Sequence, residues 1–274
     1  MPEGDVVWYT AHRLHGALAG RVLTRSDFRV PRFAAVDLRG QLVTEAVSRG
    51  KHLLIRTNAG LTVHTHLKME GSWRIRPADA DRAGGPRAGG LRGAGSDRIR
   101  LLLANAEWVA TGYQLGITEV LRTRHEDRVV GHLGPDLLDP DWDEARRDEA
   151  VARLGADANK ARPIGEALLD QRNLAGIGTW YLAETLFLRG IDPSRPVGEV
   201  EDLRALVDLG HQLLDANKTG FDQVATGDSR RGRRSWAYGR AGQPCRRCGT
   251  PIKRGEQGPA GQERLRFWCP KCQR

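Results

Sequence analysis

Four cysteines are the residues of this 274-residue chain whose spacing points most directly to chemistry. They form two pairs, Cys245-Arg-Arg-Cys248 and Cys269-Pro-Lys-Cys272, with twenty residues between them. Two such knuckles can close a tetrahedral thiolate site for zinc, and with sulfur at every position none remains for a catalytic water. Each pair alone could be a redox dithiol or a disulfide. The first residues, Met1-Pro2-Glu3-Gly4-Asp5, are acidic where a secretory signal would be basic, which favours metal over disulfide. The reading is one structural zinc ion, so the reaction must belong to other residues. The start of the chain offers one. A Met before Pro is commonly removed, leaving Pro2 as a free secondary amine. An α-amino group titrates near 7.7–8, against about 10.4 for Lys, so far more of it is unprotonated at neutral pH. A pocket can lower that value further by desolvation. Pro2 is therefore a credible nucleophile, although a Met-Pro start taken alone is usually an ordinary terminus.

The distribution of charge indicates what these groups face. Lys and Arg number 43 against 34 Asp and Glu, a net of +9. From Asp228 to Arg274 there are thirteen Lys/Arg and three Asp/Glu, a local +10 that leaves about −1 for the preceding 227 residues. Basic charge confined to one end is the footprint of a phosphate-backbone binder, with a solvated basic tail as the bland alternative. Arg246, Arg247, Lys253, Arg254, Arg264, Arg266 and Lys271 surround the knuckles, so the metal would hold a cationic hairpin against nucleic acid. No run approaches the roughly 18 apolar residues of a membrane span, which excludes that class and, with the acidic start, secretion by the common route.

The elements that must position these groups follow from periodicity. Val7, Ala11, Leu14 and Leu18 recur at helical spacing after Gly4-Asp5, and Gly20 supplies the stop. Short β-rich runs follow at Val22 to Phe28, Leu42 to Val47, Leu53 to Thr57, Leu61 to His66, Ile99 to Leu103, Trp108 to Thr111 and Ile117 to Leu121. So many short strands predict an antiparallel sandwich or barrel. The stretch Ala78 to Asp97, rich in Gly, Ala and Arg, reads as an inserted flexible loop that could approach DNA. Gly, Pro and Asp between Gly131 and Asp143 suggest a hinge. Four helices are expected beyond it, at Asp143 to Leu154, Ile164 to Asp170, Trp180 to Arg189 and Val200 to Asn217. The fold class is α+β and multidomain: a β-sandwich domain over 1–130 with a flanking helix, a hinge over 131–143, a helical domain over 144–227 and a basic zinc ribbon over 228–274. Within the helical part, Gly176-Ile-Gly178 joins two short helical pieces, the second starting at Thr179. A glycine turn before a helix N-terminus exposes backbone N–H groups suited to phosphate, though it is also an ordinary packing turn.

Here the sequence resembles the bacterial formamidopyrimidine-DNA glycosylase and endonuclease VIII family. Its helix-two-turns-helix motif reads much like LLDQRNLAGIGTWYLAETLF, residues 168–187. Further matches are Pro2-Glu3-Gly4, Ser48-Arg-Gly-Lys51, His66-Leu-Lys-Met-Glu-Gly71 and the ending Arg264-Leu-Arg-Phe-Trp-Cys-Pro-Lys-Cys-Gln273, so the likeness spans nearly the whole chain. The start Pro-Glu-Gly looks more like the endonuclease VIII branch. The resemblance implies that the Pro2 amine attacks the sugar C1′, expels the damaged base and forms a cationic iminium whose C2′ proton is acidified. β,δ-Elimination would then cut the strand. It implies Glu3 as general acid, Lys51 as phosphate contact and proton donor, and Arg264 as the arginine that clamps phosphates and assists δ-elimination, with Arg266 a nearby decoy. Met69 matches the wedge that fills the gap left by a flipped nucleotide, with Lys68 and Thr179 as further DNA contacts.

The sequence departs from the family pattern in three ways. Thr179 stands where Asn is usual, Val6 where Glu is frequent, and Lys68 and Glu70 flank Met69 in an unfamiliar way. The expected function is a bifunctional DNA glycosylase and abasic-site lyase of base excision repair, acting preferentially on oxidised pyrimidines. Its expected partner is damaged DNA; it would be a monomer, cytoplasmic and nucleoid-associated, with no membrane partner. Competing readings are the same fold acting on oxidised purines or abasic sites, a non-catalytic damage sensor, and a zinc-ribbon module for RNA or protein. The last leaves the N-terminal residues unexplained.

Overall fold

A computed structural model describes residues 2–79 and 96–274, so most of the loop expected over Ala78 to Asp97 lies outside the described residues. The chain divides into two compact units, one comprising Val6–Gly131 with Pro2, the other His132–Arg274 with Glu3–Asp5.

The first unit is a sandwich of two four-stranded antiparallel sheets. One has the order β1 (Arg25–Phe28), β6 (Ile99–Ala104), β7 (Trp108–Tyr113), β5 (Ser72–Pro77). The other runs β2 (Val43–Arg49), β3 (His52–Thr57), β4 (Leu61–His66), β8 (Ile117–Arg122). Leu53, Ile55, Val63, Leu101, Leu103 and Ala110 are buried in the core, and α1 (Gly4–Leu18) adds Val7, Ala11, Leu14 and Leu18, the face its periodicity predicted. Gly20, at φ +73, accepts the left-handed turn after the helix that a side chain would resist. Two strand expectations change. The run from Val22 does not form one strand: Val22 bridges to Leu42 and pairing with β6 starts only at Arg25. Strand β5 was not anticipated, although Ser72, Arg74 and Arg76 alternate with Trp73 and Ile75 as on a half-buried edge strand.

In the second unit the four expected helices form as α2 (Glu144–Leu154), α3 (Ile164–Leu169), α4 (Thr179–Arg189) and α5 (Leu203–Asn217). Asp143 and Asp202 cap α2 and α5 by accepting from the N–H of Arg146 and Ala205. The Gly/Pro/Asp stretch is packed: Leu133, Leu137 and Leu138 are buried and Asp136 bridges to Ala175. Helix α4 is buried nearly all round, from Thr179 to Phe187. The C-terminal hairpin pairs β9 (Lys253–Gln257) with β10 (Arg264–Trp268) over a small core of Phe187, Ala237, Ile252 and Phe267. No helix among the described residues is long and apolar enough to cross a membrane.

Candidate active site and nucleic-acid interface

The N-terminal residues are held by the start of α4. The Glu3 side chain, 1% exposed, accepts hydrogen bonds from the backbone N–H of Gly178 (2.8 Å), Trp180 (2.7 Å) and Tyr181 (3.3 Å). Gly178 gives α4 no side-chain cap, so Glu3 supplies one from 175 residues away and brings negative charge to the positive end of the helix. Space allows this only because the turn is glycine. A Cβ on Gly178 would lie 2.5 Å from Glu3 Cδ, and one on Gly4 would lie 2.9 Å from Gly176 Cα. Gly176 itself sits at φ +110, and the Gly4 N–H donates to its carbonyl at 3.0 Å. The sequence pointed to free N–H groups in this turn; most are instead taken, three by Glu3 and that of Gly176 by the Gln171 side chain. Thr179, at the first helical position, is buried.

Around this clamp lies a second buried carboxylate that sequence reasoning missed. Asp5, fully buried, accepts from the Tyr181 hydroxyl at 2.8 Å and from Gln223 Nε2 at 3.2 Å. Burial first, then the charges of Asp5 and Glu3, push the Tyr181 phenol far up, so it stays a donor. Tyr181 thus grips Glu3 with its main chain and Asp5 with its ring.

In the sandwich unit Pro2 is half-buried, and Lys51 lies half-buried in the β2–β3 turn. Lys68 and Met69 occupy the turn after β4, with Met69 61% exposed, an unusual setting for a methionine and not that of a core residue. Lys68 adopts φ +53 and packs over Gly116, where any Cβ would lie 2.1 Å from Lys68 Cγ. Lys51 and Lys68 gather at one end of the sheet: with burial the larger cause, both help push the neighbouring His66 imidazole down to about 4. His66 therefore stays neutral, and its Nδ1 accepts the Lys68 N–H at 2.9 Å.

On the hairpin, Arg264 is exposed and has no partner among the described residues, whereas Arg266 lies over the Trp268 ring at 4.7 Å and donates to Ser194 Oγ. Arg246 and Arg247 are likewise engaged: Arg246 donates to the Ser235 and Gly232 carbonyls, and Arg247 to the Phe187 carbonyl. The four cysteine Sγ atoms lie within 4.8 Å of one another, with Cys248–Cys269 at 3.5 Å and Cys245–Cys272 at 3.9 Å. No disulfide joins them, and a tetrahedral ion with metal–sulfur bonds of about 2.3 Å would require sulfurs roughly 3.8 Å apart. The residues fit a tetrathiolate metal centre.

A β-sandwich, a helical unit whose glycine turn holds Glu3, and a four-cysteine hairpin are the parts of one class of DNA glycosylase. Residues 1–110 match the formamidopyrimidine-DNA glycosylase N-terminal domain and residues 133–216 its H2TH domain. The chain belongs to the formamidopyrimidine-DNA glycosylase family. Over its full length it is 51% identical to a probable endonuclease 8 2 of Streptomyces coelicolor, covering 94% of that protein. It is 49% identical to endonuclease 8 2 of Mycobacterium tuberculosis and 46% to the DNA-(apurinic or apyrimidinic site) lyase Nei2 of Mycolicibacterium smegmatis, covering 100% and 99% of those proteins. These relatives lie on the endonuclease VIII side of the family, as the Pro-Glu-Gly start led us to expect. The fold matches MutM in complex with carbocyclic 8-oxo-G containing DNA, with a TM-score of 0.77, 21% identity and full coverage of both chains. A Lactococcus lactis formamidopyrimidine-DNA glycosylase bound to DNA with an abasic site matches with a TM-score of 0.76 at 22% identity, again over both full chains.

Proposed function

We propose that this protein is a bifunctional DNA glycosylase and abasic-site lyase of base excision repair, that it prefers oxidised pyrimidines, and that Pro2 is its nucleophile. The observation that carries the reading is the Glu3 clamp, which fixes the residue next to Pro2 by three hydrogen bonds in a buried site. Once Met1 is removed, the Pro2 nitrogen attacks C1′ of the extruded nucleotide and the damaged base leaves. The nitrogen lone pair expels the ring oxygen, giving an iminium that withdraws electrons from C2′. Glu3, an acceptor in the resting clamp, takes the proton that the Pro2 nitrogen sheds on attack and passes it to the opening sugar or departing base, from a position set by α4. Lys51 contacts phosphate and assists proton transfer during β-elimination. Arg264 clamps the flanking phosphates with its planar fork and supports the second elimination.

Met69 fills the gap in the stack, while Lys68 and Thr179 contact the backbone. Cys245, Cys248, Cys269 and Cys272 hold one zinc ion as the scaffold of the β9–β10 hairpin, outside the reaction itself. The pyrimidine preference rests on the resemblance to the endonuclease VIII branch, and relatives at about half identity carry endonuclease 8 names. The protein works as a monomer on damaged DNA in the cytoplasm, associated with the nucleoid.

Borohydride trapping on oligonucleotides carrying an abasic site, an oxidised pyrimidine or 8-oxoguanine tests this reading. The expected result is a covalent adduct mapped to the Pro2 amine, absent in Pro2→Gly and formed faster on the oxidised pyrimidine than on 8-oxoguanine. No adduct on any substrate, with Met1 removed, zinc bound and DNA affinity intact, would instead establish a non-catalytic damage sensor.

A further inference from the structure

The turns bearing Lys51 and Met69 emerge from the same end of one sheet, because His52, the residue after Lys51, is the register partner of His66 at the end of β4. Beneath them runs a chain of polar side chains, Glu119, His64 and His52, that neither the motifs nor the mechanism above uses, and it ends on His66. Glu119 on β8 stands opposite His64 on β4, and its Oε1 lies 2.7 Å from His64 Nδ1. His64 Nε2 lies 2.8 Å from His52 Nδ1, with the two rings stacked at a centroid distance of 5.0 Å. The His52 ring meets His66 edge-on, also at 5.0 Å, and His66 Nδ1 accepts the Lys68 N–H. His64 is 1% exposed, so this is a built polar array rather than a solvated face.

Its hydrogen bonding is directional. An ionised carboxylate only accepts, so Glu119 fixes the proton of His64 on Nδ1, leaving Nε2 and His52 Nδ1 to share one proton between them. The order imposed at Glu119 therefore passes to the His52 ring and the packing of His66. The turn after β4 needs such support. Lys68 holds a left-handed conformation that side chains resist, and other ties of the turn are the Gly71 N–H to the Leu67 carbonyl, the Gly116 N–H to the His66 carbonyl, and Gln114 Nε2 to Glu70. Buried networks of this kind lock the rotamers of the residues they carry.

We infer that Glu119, His64 and His52 are positioning residues, acting through His66 to hold the Lys51 turn and the Met69 turn in the relation that DNA engagement requires. This rests on the glycosylase reading, and the test separates the two. A duplex carrying a tetrahydrofuran abasic analogue next to 2-aminopurine reports insertion of Met69 by fluorescence without any chemistry. Single-turnover cleavage of an abasic duplex by saturating enzyme reports the elimination. In Glu119→Ala both the fluorescence amplitude and the cleavage rate fall, the rate by about tenfold, because small displacements of reacting groups are costly. Glu119→Gln, whose amide oxygen can still accept from His64 Nδ1, recovers most of the loss at similar affinity. Should Glu119→Ala not fold, His64→Phe, which keeps a ring of similar size, carries the same comparison.

Folded variants that insert and cleave like the parent would overturn the inference alone. Losses that Glu119→Gln does not recover would also overturn it. A parent that neither forms a borohydride adduct nor perturbs 2-aminopurine would overturn the glycosylase reading, and this inference with it.

Discussion

Single atoms decide the geometry at Glu3 and His66. Glu3 fits against α4 because position 178 has no Cβ, and the contact it would otherwise meet, 2.5 Å to the carboxyl carbon, falls on a side chain already held by three amides. Gly178→Ala should therefore displace Glu3 rather than merely crowd it. The expected outcome is a loss of about 1–3 kcal/mol in urea unfolding, typical of overpacking, with slower borohydride trapping on an abasic site. His66 gives a pH signature. Burial, then the charges of Lys68 and Lys51, lower its folded value to about 4 from an ordinary 6.5. Between those values the unfolded chain binds the proton and the folded chain does not, so stability rises with pH through the window and is lost as pH falls from about 6.5 to 4. Thermal melts of the parent and His66→Gln across that range should diverge, the variant having the shallower acid slope; parallel slopes would remove His66 as the cause.

At the level of elements, α4 is the organising piece. Its first turn holds Glu3, and one face further along Glu184, fully buried, accepts the N–H groups of Trp236, Ala237 and Tyr238 at 2.6, 3.0 and 2.8 Å. Burial raises the Glu184 carboxyl while the three amides oppose that shift. Glu184→Ala would orphan those donors at a cost on the order of 3 kcal/mol, whereas Glu184→Gln keeps one acceptor oxygen and should lose less; paired urea titrations measure the difference. The helix shows what a single sequence reveals. Its start at Thr179 was legible because a glycine turn and an apolar run are local signals. Its partners were not, since Glu3 is 175 residues away and nothing in a Glu codon's neighbours predicts a distant helix cap. Strand β5 carried an alternating pattern that its arginines obscured. The four cysteines were legible because ligand spacing is a property of the chain itself, while Glu119, His64 and His52 become neighbours only when strand register is set.

On the scale of the whole molecule, charge is separated along the chain, with +10 over residues 228–274 and about −1 over the rest. The fold then divides those cations. Arg246 and Arg247, though exposed, and the half-buried Arg266 donate to partners within the unit, while Lys253, Arg254, Arg264 and Lys271 are exposed without such a tie among the described residues. Their hairpin has only a small core, Ile252 and Phe267 with Ala237 and Phe187, so the sulfur cluster must supply much of its order. Two measurements of DNA affinity against salt follow. Arg264→Ala should lower the logarithmic salt slope by about 1, the release of one counterion, while Arg266→Ala should leave the slope nearer the parent's and lower the melting temperature instead. Chelation of the metal should act on Lys253, Arg254, Arg264 and Lys271 at once, reducing the slope by roughly 3 to 4 and weakening affinity most at low salt. The sandwich unit has a separate core and should keep its strand signal in circular dichroism under the same treatment. A slope unchanged by chelation would mean either that the hairpin cations hold their positions without metal or that phosphate binding draws on charge elsewhere.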